Sequence, residues 1–525
     1  MRYRLILVVT LTALVTISHA ILQTSKESQC KNGKKKCRSI LSTNYNPDVN
    51  LPTPKIIRRH GYPAESYVVE TEDGYLLELH RIPYGRRGIK YGKKEPVFLQ
   101  HGVLGSSSDW VIAGPDTALA YLLADKGYDV WLGNARGNTY SRSHITYSPL
   151  DLAFWDFSFH EMGYFDLPAE IDFILNKTSH AQLSYIGHSM GTTMFFVMAS
   201  MRPEYNEKVL GQISLAPVAY LSHTQSPIRY LAPFALNIEK IMDWIGNGEF
   251  LPHNTMLNYV TKIACELNHR EMNMCEDFLF ILCGHDPYQF KMSLLPVILG
   301  HTPAGGSTRT LVHYAQFIDA GKFRQFDYGK DKNFQFYNSS FPPKYDIKSI
   351  NTKVAFFYAG NDLLTNDQDV KEFYSLLPNP VGLYKVNFTF FNHLDFLWAK
   401  DVRSLVYNDL LVVLKSFNKT RQRSEVLTVN NVIPQNPHVI SEETTSPWER
   451  YLQLTMTERS LYATERRLSS KRGDQTSFMQ KISAFPSDFG RKFEKKWNDS
   501  TMREVLNNWM KGDSKGDRNS DGDGE

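Results

Sequence analysis

The chain has 525 residues, of which 42% are hydrophobic, 13% aromatic and 22% charged, an apolar share that excludes a wholly disordered polymer. One long uncharged apolar run, inside residues 1–20, excludes a multi-span membrane protein. With 59 Lys+Arg against 55 Asp+Glu, the net charge of +4 gives no footing for nucleic-acid binding, and five cysteines are too few for a disulfide scaffold.

Arg2 and Arg4 precede an apolar run from Leu5 to Ile17, and Ser18-His19-Ala20 follows with small residues at both peptidase positions. The run is shorter than the ~20 residues that span a bilayer, so residues 1–20 read as a secretory signal peptide and not as an anchor. Export makes the Asn-x-Ser/Thr sites meaningful. Asn176, Asn338 and Asn418 are the glycosylation candidates; Asn498 is a fourth, and Asn387 is the weakest because it falls in an expected strand. Cys30 and Cys37 form one cysteine group and Cys265, Cys275 and Cys283 another. An oxidising compartment favours pairing, and the odd count leaves one thiol over. Neither group has a C-x-x-C pair or regular histidine spacing, so no metal is expected.

Residues 21–50 are a polar, lysine-rich arm. Strand-like runs then follow at Ser66–Glu70, Leu76–Ile82, Pro96–Gln100, Tyr128–Leu132, Leu183–Ile186, Val209–Leu215, Val354–Tyr358 and Tyr384–Phe391. The first two read as an antiparallel hairpin across Asp73-Gly74. Helical patterns at Asp116–Lys126, Tyr164–Leu175 and Thr192–Met201 lie between later runs. Apolar strands alternating with amphipathic helices predict an α/β fold, a mostly parallel sheet covered on both faces. The alternation stops after Leu215 and resumes at Val354. This divides the core into residues 51–219 and 345–420 around an inserted helical cap, residues 220–344, with Ile238, Ile241, Met242 and Ile245 at helical spacing. The same spacing suits ordinary packing helices equally well. Residues 421–525 hold 17 Lys+Arg and 16 Asp+Glu with sparse apolar content, the composition of a disordered tail.

The chemistry converges on Gly187-His188-Ser189-Met190-Gly191, between the strand ending at Ile186 and the helix opening at Thr192. A sharp strand-to-helix turn lifts the serine out of the sheet, and its backbone tolerates only small neighbours. The hydroxyl needs a base to take its proton and an acid to hold that base. In chain order these are Asp362, after Val354–Tyr358, and His393, in Phe391-Asn392-His393-Leu394-Asp395-Phe396, with Asp367 and Asp369 as rival acids. The oxyanion donors are the N–H of Met190 and, from the loop His101-Gly102-Val103-Leu104-Gly105, that of Val103, with Leu104 as second choice. His101 is read as a loop-shaping residue. No cofactor is needed.

Several motifs in order carry a resemblance. His101-Gly102-Val103-Leu104, Asn134-Ala135-Arg136-Gly137-Asn138, Phe154-Trp155 with His160-Glu161-Met162, the Ser189 pentapeptide, Tyr358-Ala359-Gly360-Asn361-Asp362 and Asn392-His393-Leu394-Asp395-Phe396 resemble the acid lipase family. Tyr62-Pro63-Ala64-Glu65 with Thr71-Glu72-Asp73-Gly74-Tyr75 resembles its N-terminal lipase-associated segment. The likeness spans about Asn46 to Phe417. It implies an α/β-hydrolase fold, the triad Ser189, Asp362 and His393, the donors Val103 and Met190, a lid in the cap and a disulfide Cys265–Cys275 that leaves Cys283 free. It also implies a lipid ester substrate met at a lipid–water interface. Met190 departs from the glutamine of vertebrate members, harmlessly if only its backbone acts, and the tail has no counterpart.

A long acyl chain needs an apolar trough that is costly to expose, at ~25 cal/mol per Å². Phe234, Trp244, Phe278 and Phe280 are trough or lid candidates, with cap packing as their other role. The expectation is a secreted or lysosomal serine ester hydrolase, monomeric, without nucleic-acid partner or transmembrane anchor. A lipid-binding or structural protein on the same frame, and an acyltransferase with the same triad, are the alternatives.

Overall fold

In a computed structural model the described residues are 46–88, 92–230, 232–234, 248–251 and 279–417. All of them except 334–339 belong to one compact unit. The signal segment, the cysteines Cys30, Cys37, Cys265 and Cys275, the cap residues Ile238 to Ile245, Trp244, Phe278, Asn418, Asn498 and the tail lie outside them, as does the side chain of Phe234.

The strands are β1 (Glu65–Glu70), β2 (Tyr75–Ile82), β3 (Pro96–Gln100), β4 (Asp129–Leu132), β5 (Ser143–His144), β6 (Leu183–His188), β7 (Val209–Leu215), β8 (Glu249–Phe250), β9 (Gly306–Ser307), β10 (Val354–Tyr358) and β11 (Pro380–Lys385). The main sheet runs β1-β2-β4-β3-β6-β7-β10-β11, with β5 on β2. In that order β4, β3, β6, β7, β10 and β11 pair in parallel, while β1, β2 and β5 form an antiparallel edge. The chain is an α/β-hydrolase by architecture, as expected.

The period-two alternation of the central strands divides the core in two. Val97, Leu99, Val130, Leu132, Ala355 and Phe357 face one layer. Phe98, Trp131, Tyr185, Val354, Phe356 and Tyr358 face the other. Helix Leu119–Lys126 and the helical residues 408–417 cover the first face; helices Leu167–Thr178, Met190–Met201 and Asp367–Leu376 cover the second. Strands buried on both faces must be apolar throughout, which is why these runs were legible.

Three expectations shift. The last strand is Pro380–Lys385 and not Tyr384–Phe391. It is a half-exposed edge strand, a place that tolerates Pro380 and Gly382, whereas the aromatic run 388–391 turns back on itself through Phe391 N–H to the Phe388 carbonyl. Asn387 therefore lies past the strand and is exposed, as are Asn176 and Asn338. The region between β7 and β10 is not wholly helical, since β8 and β9 pair antiparallel beside helices Leu295–His301 and Thr308–Ala320. The arm is packed before residue 51: Asp48 is buried, accepts two hydrogen bonds from Arg59 Nη1, and lends its carbonyl to His301 Nε2 at 2.7 Å.

One buried charge ties the antiparallel edge to the helical layer. Arg136, 1% exposed, donates from Nε to Asp166 Oδ1 at 2.7 Å and from both terminal nitrogens to Asp73 at 2.6 and 2.8 Å, with its guanidinium 4.0 Å from the Tyr75 ring. Burial alone would push the Asp73 carboxyl up, but the charge and hydrogen bonds of Arg136 outweigh it and hold that carboxyl low. Asp166, fully enclosed, is pushed up to about 6 by burial despite Arg136. Removing the cation would strand both carboxylates. Arg136→Met is expected to lower the unfolding free energy by about 3–5 kcal/mol, read by urea denaturation.

Candidate active site

β6 runs into the helix Met190–Met201 with Ser189 between them at φ 51°, ψ −118°, a strained conformation for a side-chain-bearing residue. Both flanking glycines are required by contact. A Cβ at Gly187 would stand 2.7 Å from the Gly191 carbonyl carbon, and one at Gly191 would stand 2.3 Å from the Gln100 carbonyl oxygen. The turn thus packs directly on the end of β3. The Ser189 N–H donates to the Leu215 carbonyl at 3.0 Å, and Thr192 Oγ1 donates to the Ser189 carbonyl at 2.6 Å.

The loop after β3 presses on the same turn. A Cβ at Gly102 would lie 3.1 Å from both Ser189 Cβ and His188 Nδ1. Leu104 has φ 57°, and its carbonyl accepts the Ala304 N–H at 2.7 Å, so the loop at Ala304 holds this loop down. The N–H groups of Val103 and Met190 have no acceptor among the described residues. Both residues line an open cleft with Leu104, Met162, Gly306 and Leu311. His101 is a loop shaper. Its Nδ1 donates to the Gly102 carbonyl at 2.7 Å, its Nε2 accepts from Ala135 N–H at 3.1 Å, and burial pushes its pKa down to about 4.

Asp362 and His393 meet on the loops after β10 and β11. His393 Nδ1 lies 2.7 Å from Asp362 Oδ2, and both residues are buried. The carboxylate is saturated: Oδ1 accepts from the N–H groups of Leu364 and Thr365 at 2.9 Å each, and Oδ2 also accepts from Thr365 Oγ1 at 2.6 Å. The rivals are occupied elsewhere. Asp367 pairs with Lys371 and Lys385, and Asp369 accepts from the N–H and ring of His223. The Ser189 hydroxyl makes no hydrogen bond with a described residue; such contacts tighten when substrate binds.

The segment 283–285 braces both loops. The Cys283 carbonyl accepts the N–H of Leu363 at 3.3 Å and that of His393 at 3.4 Å. Asn392 Nδ2 donates to the Gly284 carbonyl at 2.8 Å, and Asn361 Nδ2 donates to the carbonyls of His285 and Phe390 at 2.9 and 2.7 Å. Cys283 is free and buried, and burial pushes its thiol up. Phe280 is 5% exposed and packs edge-on against His285 and Phe290, a core residue and not a trough wall. Asn361 and Asn392 carry this scaffold, and no spacing rule points to them. Among the described residues no group of His, Cys, Asp and Glu could hold a metal ion, and no helix is long and apolar enough to cross a membrane.

A parallel sheet with a strained serine at the β6 turn and a bonded Asp–His pair after β10 and β11 defines an α/β-hydrolase. Residues 95–400 match the family described as alpha/beta hydrolase fold, and residues 53–114 match the partial alpha/beta-hydrolase lipase region. The chain is 42% identical over 377 residues to gastric triacylglycerol lipase of Homo sapiens, covering 71% of this chain and 93% of that one. It is 41% identical over 375 residues to Lipase 1 of Drosophila melanogaster, covering 71% and 81%. It is 38% identical over 383 residues to Lipase lipl-1 of Caenorhabditis elegans, covering 72% and 95%. The chain belongs to the α/β-hydrolase lipases, which are carboxylic ester hydrolases.

Beside the base, burial and then the neighbouring Asp286 carboxylate push Asp395 up to about 9. A carboxyl raised on folding contributes stability that is fully present below its unfolded value, about 4, and is lost as pH rises through about 9. Asp395→Asn cannot ionise and keeps an oxygen for the Asn392 N–H. Its melting temperature is expected to gain on the parent's steadily between pH 4 and pH 9; a constant difference would refute the assignment.

Proposed function

We propose that the chain is a secreted or lysosomal lipase that cleaves neutral lipid esters, triacylglycerols among them, through an acyl-enzyme on Ser189. The observation that carries this reading is the strained Ser189 turn in close contact with the Gly102 loop, with a bonded Asp362–His393 pair on the loops after β10 and β11. His393, its Nδ1–H held by Asp362, takes the Ser189 proton as Oγ attacks the ester carbonyl. The N–H groups of Val103 and Met190 receive the negative charge on the former carbonyl oxygen, a contribution worth ~3–4 kcal/mol per donor in such sites. His393 then protonates the departing alcohol, and water repeats the sequence to release the fatty acid. The apolar lining from Leu104, Met162 and Leu311 suits an acyl chain. The residue 1–20 signal and the exposed candidates Asn176 and Asn338 support export, and Asn418 is a further glycan candidate.

An exposed aromatic group flanks the base loop. Tyr288 is 57% and Phe390 41% exposed, their rings 5.1 Å apart, with Phe388 beside them. We read it as a contact for a lipid–water interface. The chain would work there as a monomer.

Ser189→Ala is expected to lose at least ~1000-fold in hydrolysis of a long-chain ester, to resist a phosphonate probe that labels the parent, and to melt at the parent temperature. Retained turnover would discard the nucleophile; labelling with transfer of the acyl group to an alcohol instead of water would favour an acyltransferase. Tyr288→Ser with Phe390→Ser is expected to weaken hydrolysis of emulsified triglyceride several-fold while a dissolved short-chain ester is cleaved as before. Equal loss on both substrates would remove the interfacial role.

A further inference from the structure

His188 takes no part in the chemistry above, yet three parts of the site meet on its ring. It is buried at 3% exposure, and its Nε2 lies 3.0 Å from the main-chain oxygen of His393. The two imidazole centroids are 5.0 Å apart. On the other side, Nδ1 has no hydrogen-bond partner among the described residues and faces Gly102 so closely that a Cβ there would stand 3.1 Å away. An Nε2 that faces a carbonyl oxygen must carry the proton, so one tautomer is selected. Burial, and after it the nearby His393 and His101, push the ring's pKa down to about 3, which keeps it neutral through the working range of a lipase.

The main chain of the base is therefore held at both ends. Its N–H reaches the Cys283 carbonyl at 3.4 Å, and its C=O receives His188 at 3.0 Å. The first tie is long and comes from within the insertion between β7 and β10. The second is shorter, buried, and comes from the residue that precedes the nucleophile. We infer that His188 is a positioning residue: its Nε2–H couples the nucleophile turn to the base loop, so that Ser189 and His393 keep one mutual geometry when substrate enters. Ser189 and His393 sit on separate loops after different strands, and no hydrogen bond joins their side chains before substrate arrives. A link through the His188 ring supplies the register that the resting site lacks. The inference rests on the proposed roles of Ser189 and His393.

The test uses the full-length protein and a dissolved short-chain ester, which removes interfacial effects. His188→Leu fills the volume without a donor, while His188→Gln places an N–H near the Nε2 position. A displacement of about 1 Å between reacting groups costs ~100-fold, so His188→Leu is expected to lose ~10–100-fold in kcat with KM within about twofold of the parent. Inactivation by the phosphonate probe should slow by the same factor, because that reaction also needs the base. His188→Gln should recover most of both rates. Equal kcat for the Leu and Gln variants, or losses in both that follow their melting temperatures, would assign the ring to packing and overturn the inference. If His188→Leu does not fold, His188→Asn replaces it, since its amide reaches only the Nδ1 side; equal kcat for Asn and Gln would overturn the inference likewise. Ser189→Ala separates the two levels: an active Ser189→Ala removes the triad reading itself, whereas an inactive one with indifferent His188 variants removes only the coupling.

Discussion

The site depends on a steric constraint at the ends of the paired strands β3 and β6, where the turn around Ser189 passes within contact distance of Gln100, His101 and Gly102. Gly191 has no room for a Cβ against the Gln100 carbonyl, and Gly187 none against Gly191 itself. This closeness forces Ser189 into its positive-φ turn and aims its side chain out of the sheet. It also places Val103 and Met190 along one cleft, because the two residues belong to the two loops that touch. Strain at Ser189 and the closeness of these two residues are the same packing fact viewed from two sides.

A second layer of constraint fixes Asp362 and His393. Asp362 has each oxygen filled by a backbone or hydroxyl donor besides His393, so its orientation does not depend on substrate. The carbonyls of residues 283–285 receive donors from both loops, which makes this part of the insertion a brace for both. The Leu104 carbonyl receives the cap's Ala304 N–H in the same manner. The insertion between β7 and β10 is thus mechanically continuous with the site, and changes in it would be felt at both the oxyanion loop and the base loop.

Burial sets the protonation of the surroundings. His101 and His188 are held neutral in the interior and serve as hydrogen-bonding struts, not as proton carriers. Asp395 and Asp166 are pushed up by the same desolvation, and Asp73 is held low chiefly because Arg136 reaches it.

The sequence by itself determined the fold class, the core strands and the nucleophile turn. These are written in local terms: fully apolar runs for strands buried on both faces, and glycines at the two positions where a Cβ would collide. It also named Asp362 and His393 by their order after strands, preferring Asp362 to Asp367 and Asp369 only because those two sit further beyond the strand end. The physical ground for the preference is tertiary: which carboxylate faces the imidazole and which are claimed by Lys371, Lys385 and His223. The last strand was misplaced for a similar reason: an edge position excuses Pro380 and Gly382, and edge status is not visible along the chain. The struts from His188, Asn361 and Asn392 were invisible as well, because each joins groups that only folding brings together and none carries a spacing that chemistry requires.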